Sequence, residues 1–471
     1  MNTRFRRRQT VSACGLAGRL PLFLLAVVAL PCLVQAAYAE QPAAAAEKTT
    51  VLSLNDAIAR ALQNNIVVKL AHERIEEAKG RRLQSKSDFL PHIALNASQD
   101  RIFWENLAGQ GLPEFGVLGP FNSFDARVQL VQRVFDLSAL SGLQAERAAL
   151  KIASLEEGFA RQQIVLSAVF AYLDVLDKEE KLRAVEENIN LAQQLVTMAQ
   201  HQLSAGIVTE IDLIRAKTRL AQQQAHRQDV LQSLDAAHLR LMHAIGLPLE
   251  TEVRLTDSLH FFEETVLPVA DALDVAFKDR IEMSLSKEKV SYQEHKLSQA
   301  KSERLPVLDV YGDYGRAGET STKFTDEVGA IGVKFTMSVF EGGKINGRIQ
   351  EQRSRKRSEE LKRDDMQVQV EEDVRLALQT LVTGTDRVKA AKETFDLAKR
   401  EVELAQNQYR AGTENNIAVI EAQAVLADAH EAYIIAMMQY HLARANYFSA
   451  LGQAESFYLN PVRGKEEKDD S

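Results

Sequence analysis

Few residues in this chain are arranged for covalent chemistry. Glu341-Gly342-Gly343-Lys344 joins glycines to a lysine but lacks the spacing of a phosphate-binding loop; it reads as a corner between a strand and a helix. His430-Glu431 has no second histidine four residues after the first, so no zinc-protease helix is spelled out. The 10 histidines are scattered, the pattern of solvated surface residues. Both cysteines, Cys14 and Cys32, stand near the N-terminus. The rest of the chain offers no thiolate set, nucleophile constellation or metal cluster. The sequence therefore predicts no enzyme, no catalytic residue, no cofactor and no metal site.

The segment that holds both cysteines reads as a secretory signal. Arg4, Arg6, Arg7 and Arg8 precede an apolar stretch from Leu20 to Val34, and Ala37-Tyr38-Ala39 forms a cleavage site before Glu40. The stretch contains Pro31 and is shorter than the ~20 residues of a membrane helix. Removing 1–39 removes five arginines and no acid, so the net charge of −8 becomes about −13. Such acidity argues against nucleic acid as a partner. No later stretch looks apolar enough for a membrane helix, so the product is expected to be exported.

Prolines punctuate what remains. They are absent from 121–247 and 307–460, which marks long regular elements. A tandem duplication explains the spacing. An offset of 215 aligns Leu52–Pro91 with a second copy without a gap, pairing Asp56 with Asp271, Ile66 with Ile281, Leu70 with Leu285 and Glu73 with Glu288. An offset of 205 pairs Val134, Phe135 and Asp136 with Val339, Phe340 and Glu341. At 206, Gln202, Ala205, Gly206 and Ile211 meet Gln408, Ala411, Gly412 and Ile417. The expected divisions are a leader at 40–50, a first repeat at 51–248, a linker at 249–268, a second repeat at 269–452 and a charged tail at 453–471.

Each repeat spells the same elements. Ser53 and Asp56 form a capping box for a first helix that Pro91 ends. The apolar period then falls to 2, predicting β-hairpins over 92–135 and 307–340. Ile93, Leu95, Phe124, Val128 and Leu130 share one face with polar residues opposite, as do Leu308, Val310, Ile331, Val333 and Phe335. Strands of about ten residues suit a tilted membrane crossing. Phe103, Trp104, Phe121, Phe124, Tyr311 and Tyr314 would form a girdle near the loop ends. Four strands cannot close a barrel, and lipid tolerates no open edge, so membrane strands would demand an oligomer. Helices of about 65 residues follow, ~100 Å at ~1.5 Å per residue. They turn at tips near 205–209 and 411–416. Ile211 and Ile214, and Ile417, Ile420, Ala424 and Ala427, carry the spacing of a coiled-coil seam.

This order, twice over, resembles the TolC-type outer-membrane efflux proteins. The motifs that carry the resemblance are Leu52-Ser53-Leu54-Asn55-Asp56-Ala57-Ile58, Leu90-Pro91, Val134-Phe135-Asp136, Val339-Phe340-Glu341-Gly342-Gly343, and the tips Leu203–Val208 and Tyr409–Thr413. The resemblance implies a mainly α fold with a transmembrane β part. Four strands per chain would contribute to a trimeric 12-stranded β-barrel, above a periplasmic α-barrel of tandem-duplicated helical hairpins. It implies a homotrimer in outer-membrane lipid, serving as the exit duct of a tripartite efflux pump or type I secretion system. Its partners would be a periplasmic adaptor and an inner-membrane pump. The competing reading is an exported coiled-coil scaffold or interaction protein, which explains the helices but not the paired strands.

The resemblance also nominates site residues. Acidic residues of the returning helices narrow the aperture in this family, and by tip alignment the positions are Asp212, Ala418 and Glu421; Ala418 departs from the usual acid. Glu414 stands where a gating arginine can occur, and Tyr409 keeps the tip tyrosine. Asp212 equally fits a cap with Thr209 and a pair with Arg215. Glu421 has no oppositely charged neighbour on its helix, which suits either a solvated face or a lumen ring. Gly206, Ile207, Val208, Thr209, Gly412, Thr413 and Asn415 would meet the adaptor; the glycines also serve the tight turns, where Asn415 or Asn416 can cap.

Overall fold

The computed structural model describes residues 50–103, 105–106 and 117–457. The expected signal peptide and its cleavage site, leader residues 40–49, Trp104 and the tail from 458 onward lie outside the described residues.

Strand β1 (Thr50–Leu52) leads into helices α1 (Leu54–Asn64) and α2 (Ile66–Ser87), then β2 (His92–Ile102), the short pair β3 (Glu105–Asn106) and β4 (Val117–Leu118), and β5 (Phe121–Phe135). Helices α3 (Leu137–Ser204) and α4 (Glu210–Ile245) complete the first copy. Strand β6 (Val253–Leu255) precedes α5 (Val269–Asp279), α6 (Ile281–Ser302), β7 (Val307–Gly318), β8 (Asp326–Thr336), α7 (Lys344–Arg410) and α8 (Asn416–Ala450). Order continues past Gly452: Ala454–Phe457 form a 3-10 turn, and Gln453 Nε2 donates to Asp279 at 3.2 Å, so the tail begins later than 453.

The four long strands form one antiparallel sheet in the order β2-β5-β7-β8. Register aligns Ile93, Leu130, Gly312 and Ile331 in one row and Leu95, Val128, Tyr314 and Gly329 in the next. This face is bare, with Leu95 76% and Ile331 88% exposed. The opposite face is charged: Arg127 bridges Asp125 and Asp313, and Arg133 bridges Asp136 at 3.0 Å and Asp309 at 3.3 Å. Eleven residues at ~3.3 Å, tilted by about 40°, span the ~25 Å apolar band of an outer membrane. Among the described residues, the outer edges of β2 and β8 have no strand beside them.

Two details differ from the sequence reading. Strand β8 stops at Thr336, leaving Val339 and Phe340 outside it at 90% and 87% exposure. Tyr311 and Tyr314 lie opposite Val131 and Val128, partway down the strands, so they do not belong to a girdle at the loop end. There the aromatic contact is Phe124 against Phe324, with ring centroids 5.2 Å apart.

The segment 249–268 is more than a linker. Strand β6 pairs in parallel with β1, and Asp257 Oδ2 accepts the Leu54 N–H at 2.9 Å and the Tyr172 hydroxyl at 2.7 Å. Tyr172 also donates to the Leu52 carbonyl, at 3.1 Å. Burial first, then the hydrogen bond to Asp257 and its charge, pushes the Tyr172 hydroxyl's pKa above its ordinary value. Further along, Tyr440 and Tyr447 hydroxyls accept from the Glu264 and Leu267 N–H groups, and Arg444 pairs with Glu264 beneath the Phe262 ring. The result is a collar around the middle of the long helices. Tyr172→Phe leaves the carboxylate without its buried donor, and a loss of about 1–3 kcal/mol, read from denaturant unfolding, is expected.

Core residues such as Val165, Val169, Leu173 and Leu176 of α3 pack on α1 and α4 at this level. An 18-residue window of α3 reaches a mean hydropathy of 1.2, enough to cross a membrane by length and composition, which amends the expectation that no such stretch exists. The helix's apolar side chains fill the collar core, and 44% of the window is buried. His441 corrects the picture of solvated histidines: it is fully buried, 5.5 Å from the Tyr440 ring.

Candidate functional site

The site with the richest non-core chemistry lies where the two helical hairpins turn. Helix α3 ends at Ser204 with Ala205 as its C-cap, and Gly206 takes φ +72°, a conformation that side chains with a Cβ disfavour. The Gly206 and Ile207 N–H groups donate to the Leu203 and Gln202 carbonyls at 3.0 and 2.9 Å, closing a Schellman turn. Gly412 repeats this at φ +72°, with Gly412 and Thr413 donating to Tyr409 and Gln408 at 3.1 Å each. Nothing lies within 4 Å of a Cβ built on either glycine.

The returning helices are capped differently. Thr209 caps α4, and Asp212 Oδ2 accepts the Thr209 N–H at 3.0 Å and its hydroxyl at 2.7 Å. These bonds, the hydroxyl's first, lower the Asp212 pKa, and Arg215 lies 3.6 Å away. Asp212 is thus engaged in its own cap. Asn415 caps α8, its Oδ1 accepting from the Ile417 and Ala418 N–H groups at 3.0 and 3.2 Å. Asn416 does something else. It is 1% exposed and donates from Nδ2 to the Asp212 carbonyl at 2.7 Å, fastening one hairpin to the other. Gln202 Nε2 adds a bond to the Tyr409 carbonyl at 3.1 Å. The sequence offers Asn416 only as an alternative cap to Asn415 and Gln202 only as the repeat partner of Gln408; the doubled asparagine was the signal for the latch, since only one can cap.

Tyr409 is 2% exposed, in the core between the hairpins with Val402, Ala405 and Val419. Burial first, then the Asp212 charge, raises its pKa. In this conformation it packs the tip and does not face an opening. Glu421 is exposed on α8, on a stripe with Ile417, Val425 and Asp428, and has no ion-pair partner among the described residues. Glu414 is also exposed, its carboxylate 3.4 Å from the Asn415 N–H. Gly206, Thr209, Gly412, Thr413 and Asn415 are exposed, Ile207 is 66% exposed, and Val208 is half-buried against the tip core. The buried seam of α8 runs through Val419, Ala422, Leu426 and Ala429, a phase away from the one read from sequence. Ile420, Ala424 and Ala427 are half-buried, while Ile211 and Ile214 are 54% and 55% exposed.

The sequence matches the outer membrane efflux protein family over residues 57–247 and 281–453. It is 20% identical over 388 residues to the alkaline protease secretion protein AprF of Pseudomonas aeruginosa, covering 81% of each chain. Over 344 residues it is 20% identical to outer membrane protein TolC of Escherichia coli, covering 70% of each. Among solved structures, the fold matches the Campylobacter jejuni CmeC outer membrane channel with a TM-score of 0.75 at 19% identity, over 85% of this chain and 86% of that one. The Vibrio cholerae outer membrane protein VceC gives 0.74 at 17% identity, over 85% and 96%.

Proposed function

Since the chain belongs to the outer membrane efflux protein family, we propose that three copies join β8 to β2 into one 12-stranded barrel, the outlet of a duct whose α-helical wall descends through the periplasm. The family consists of outer membrane channel proteins, and this chain acts in the outer membrane as the exit component of an efflux or secretion assembly, working with a periplasmic adaptor and an inner-membrane pump. One observation carries the reading. The sheet has two open edges, a bare apolar face and a charged face, an arrangement that is costly in water and in lipid until copies close it. A coiled-coil scaffold has no use for such a sheet. Heat-resistant trimers in the outer-membrane fraction are the expected result; a monomer in the periplasmic fraction would overturn it.

Within that duct, Glu421 supplies the aperture charge. Three copies of an unpaired carboxylate around one axis would attract cations, and Asp212 adds a second ring while capping α4. Glu414 lies beside them, Tyr409 holds the hairpins together behind them, and the exposed tip residues meet the adaptor. Single-channel recordings of Glu421→Gln with Asp212→Asn, which keeps the cap, are expected to show altered conductance and weakened cation preference. Unchanged values would sink the assignment.

A further inference from the structure

The duplication makes one interface of the chain a template for another. Within the chain, α3 of the first repeat packs on α6 of the second. Gln299 Nε2 and Cδ lie 3.0 and 3.4 Å from the point where a Cβ on Gly142 would sit. Lys296 pairs with Glu146 at 3.4 Å, and Glu288 with Lys151 at 2.7 Å. Ile281, which approaches Gly158 of α3, lies on the same stripe of α6 as Glu288, Lys296 and Gln299, with the half-buried Leu285 between them.

Shifted back by 215, the same stripe appears on α2 as Ile66, Leu70, Glu73, Arg81 and Gln84. Four residues are identical and the fifth exchanges Lys for Arg. On α2 the stripe has no other element over it among the described residues: Ile66 is 63% and Leu70 55% exposed, Gln84 is exposed, Glu73 has no ion-pair partner there, and Arg81 pairs only along its own helix, with Glu77 at 2.8 Å. The surface that covers the α6 stripe is also duplicated. Shifted forward by 205, Gly142, Glu146 and Lys151 of α3 become Gly347, Glu351 and Lys356 of α7. Among the described residues nothing lies within 4 Å of the point a Cβ on Gly347 would occupy, and Glu351 pairs only along its own helix, with Arg355 at 2.6 Å; Lys356 is already held, 3.6 Å from both Glu294 of α6 and Glu360.

We infer that α7 of one copy covers α2 of the next, with Gly347 receiving Gln84 and Glu351 pairing with Arg81. In a ring of duplicated chains each repeat meets one neighbour by covalent connection and one across a subunit boundary, so contact residues retained in both repeats specify the second contact. The equivalence ends at Gly158, which Ile281 approaches and which Arg363 replaces; packing around Ile66 is therefore looser than around Ile281. The hairpins extend the pattern. Leu397 and Leu404, 58% and 63% exposed, correspond to Leu191 and Met198, which pack against the buried core between the hairpins; by the same equivalence they would face Ile211 and Ile214 of the next copy.

The inference rests on the trimeric reading, and residues 40–471 contain no cysteine, which permits a clean test. The full chain carrying Gly347→Cys and Gln84→Cys, treated in isolated membranes with a short bismaleimide, is expected to migrate as covalent dimers and trimers. After the trimers are fully dissociated with heat and urea, either single variant runs as a monomer, and Gly142→Cys with Gln299→Cys links only within one chain. Intact trimers without a Gly347–Gln84 link would overturn the contact, whereas a parent chain of monomer mass in detergent would overturn the trimer itself. If the double-cysteine chain fails to assemble, Glu351→Arg is expected to lower trimer recovery severalfold and Arg81→Glu in the same chain to restore it. No restoration refutes the pairing.

Discussion

Acidification from pH 6.5 to 4 is expected to remove about 3 kcal/mol of stability per chain, and His441→Gln is expected to abolish that part of the loss. His441 is fully buried on α8, its ring 6.2 Å from Phe262, with Arg444 and His260 also facing it. Burial first, then the Arg444 charge, holds its pKa down at about 4, against 6.5 when exposed. Folding therefore favours the neutral ring. The stabilisation is complete above pH 6.5 and disappears as pH falls toward 4, at about 1.4 kcal/mol per unit. His430, also held down by burial, adds a loss of the same sign; Glu179 and Glu180, pushed up by burial, act with the opposite sign, and the lowered carboxyls of Asp56 and Asp212 act below this window. Subtracting the His441→Gln curve from the parent's cancels all five. Parallel curves between pH 6.5 and 4 would show that the histidine contributes nothing.

Gly206→Val with Gly412→Val is expected to cut export at least tenfold while leaving trimers and the collar intact. Both glycines take φ +72°, where a β-branched residue costs about 1–2 kcal/mol, so each tip must rearrange. Neither position has a neighbour within 4 Å for a new side chain to strike, so the hairpins below need not move. The damage is confined to the surface assigned to the adaptor. Asn tolerates this backbone region, so Gly412→Asn is expected to recover most of the turn. Export is measured in cells lacking the parent chain, with trimer abundance as the control. Normal export by the valine pair would remove the docking role from the tips.

The duplication was legible because proline positions and apolar periods recur at nearly fixed offsets, and from it followed the helix, hairpin, helical hairpin order. The collar was not. Its bonds join Glu264 and Leu267 to Tyr440 and Tyr447, 176 and 180 residues away, and no local pattern announces such pairings. Helical phase was lost for a related reason. Ile417 and Ile420 look like seam residues by type, but a stripe that waits for another copy has the same period as one already buried. Asp212 showed its cap in sequence because a capping box is local; Asn416 did not show its latch, because its acceptor belongs to the other repeat.

The collar gives the long helices a mechanical advantage. Helix α3 is gripped near Leu176 and ends at Ser204, a lever arm of about 42 Å at ~1.5 Å per residue. A tilt of only about 5° at the grip would sweep the tip through about 4 Å by that geometry. That exceeds the 2.7 Å length of the Asn416 bond to the Asp212 carbonyl. Angular changes too small to disturb the packing around Tyr172 are therefore large enough to make or break the fastening between hairpins.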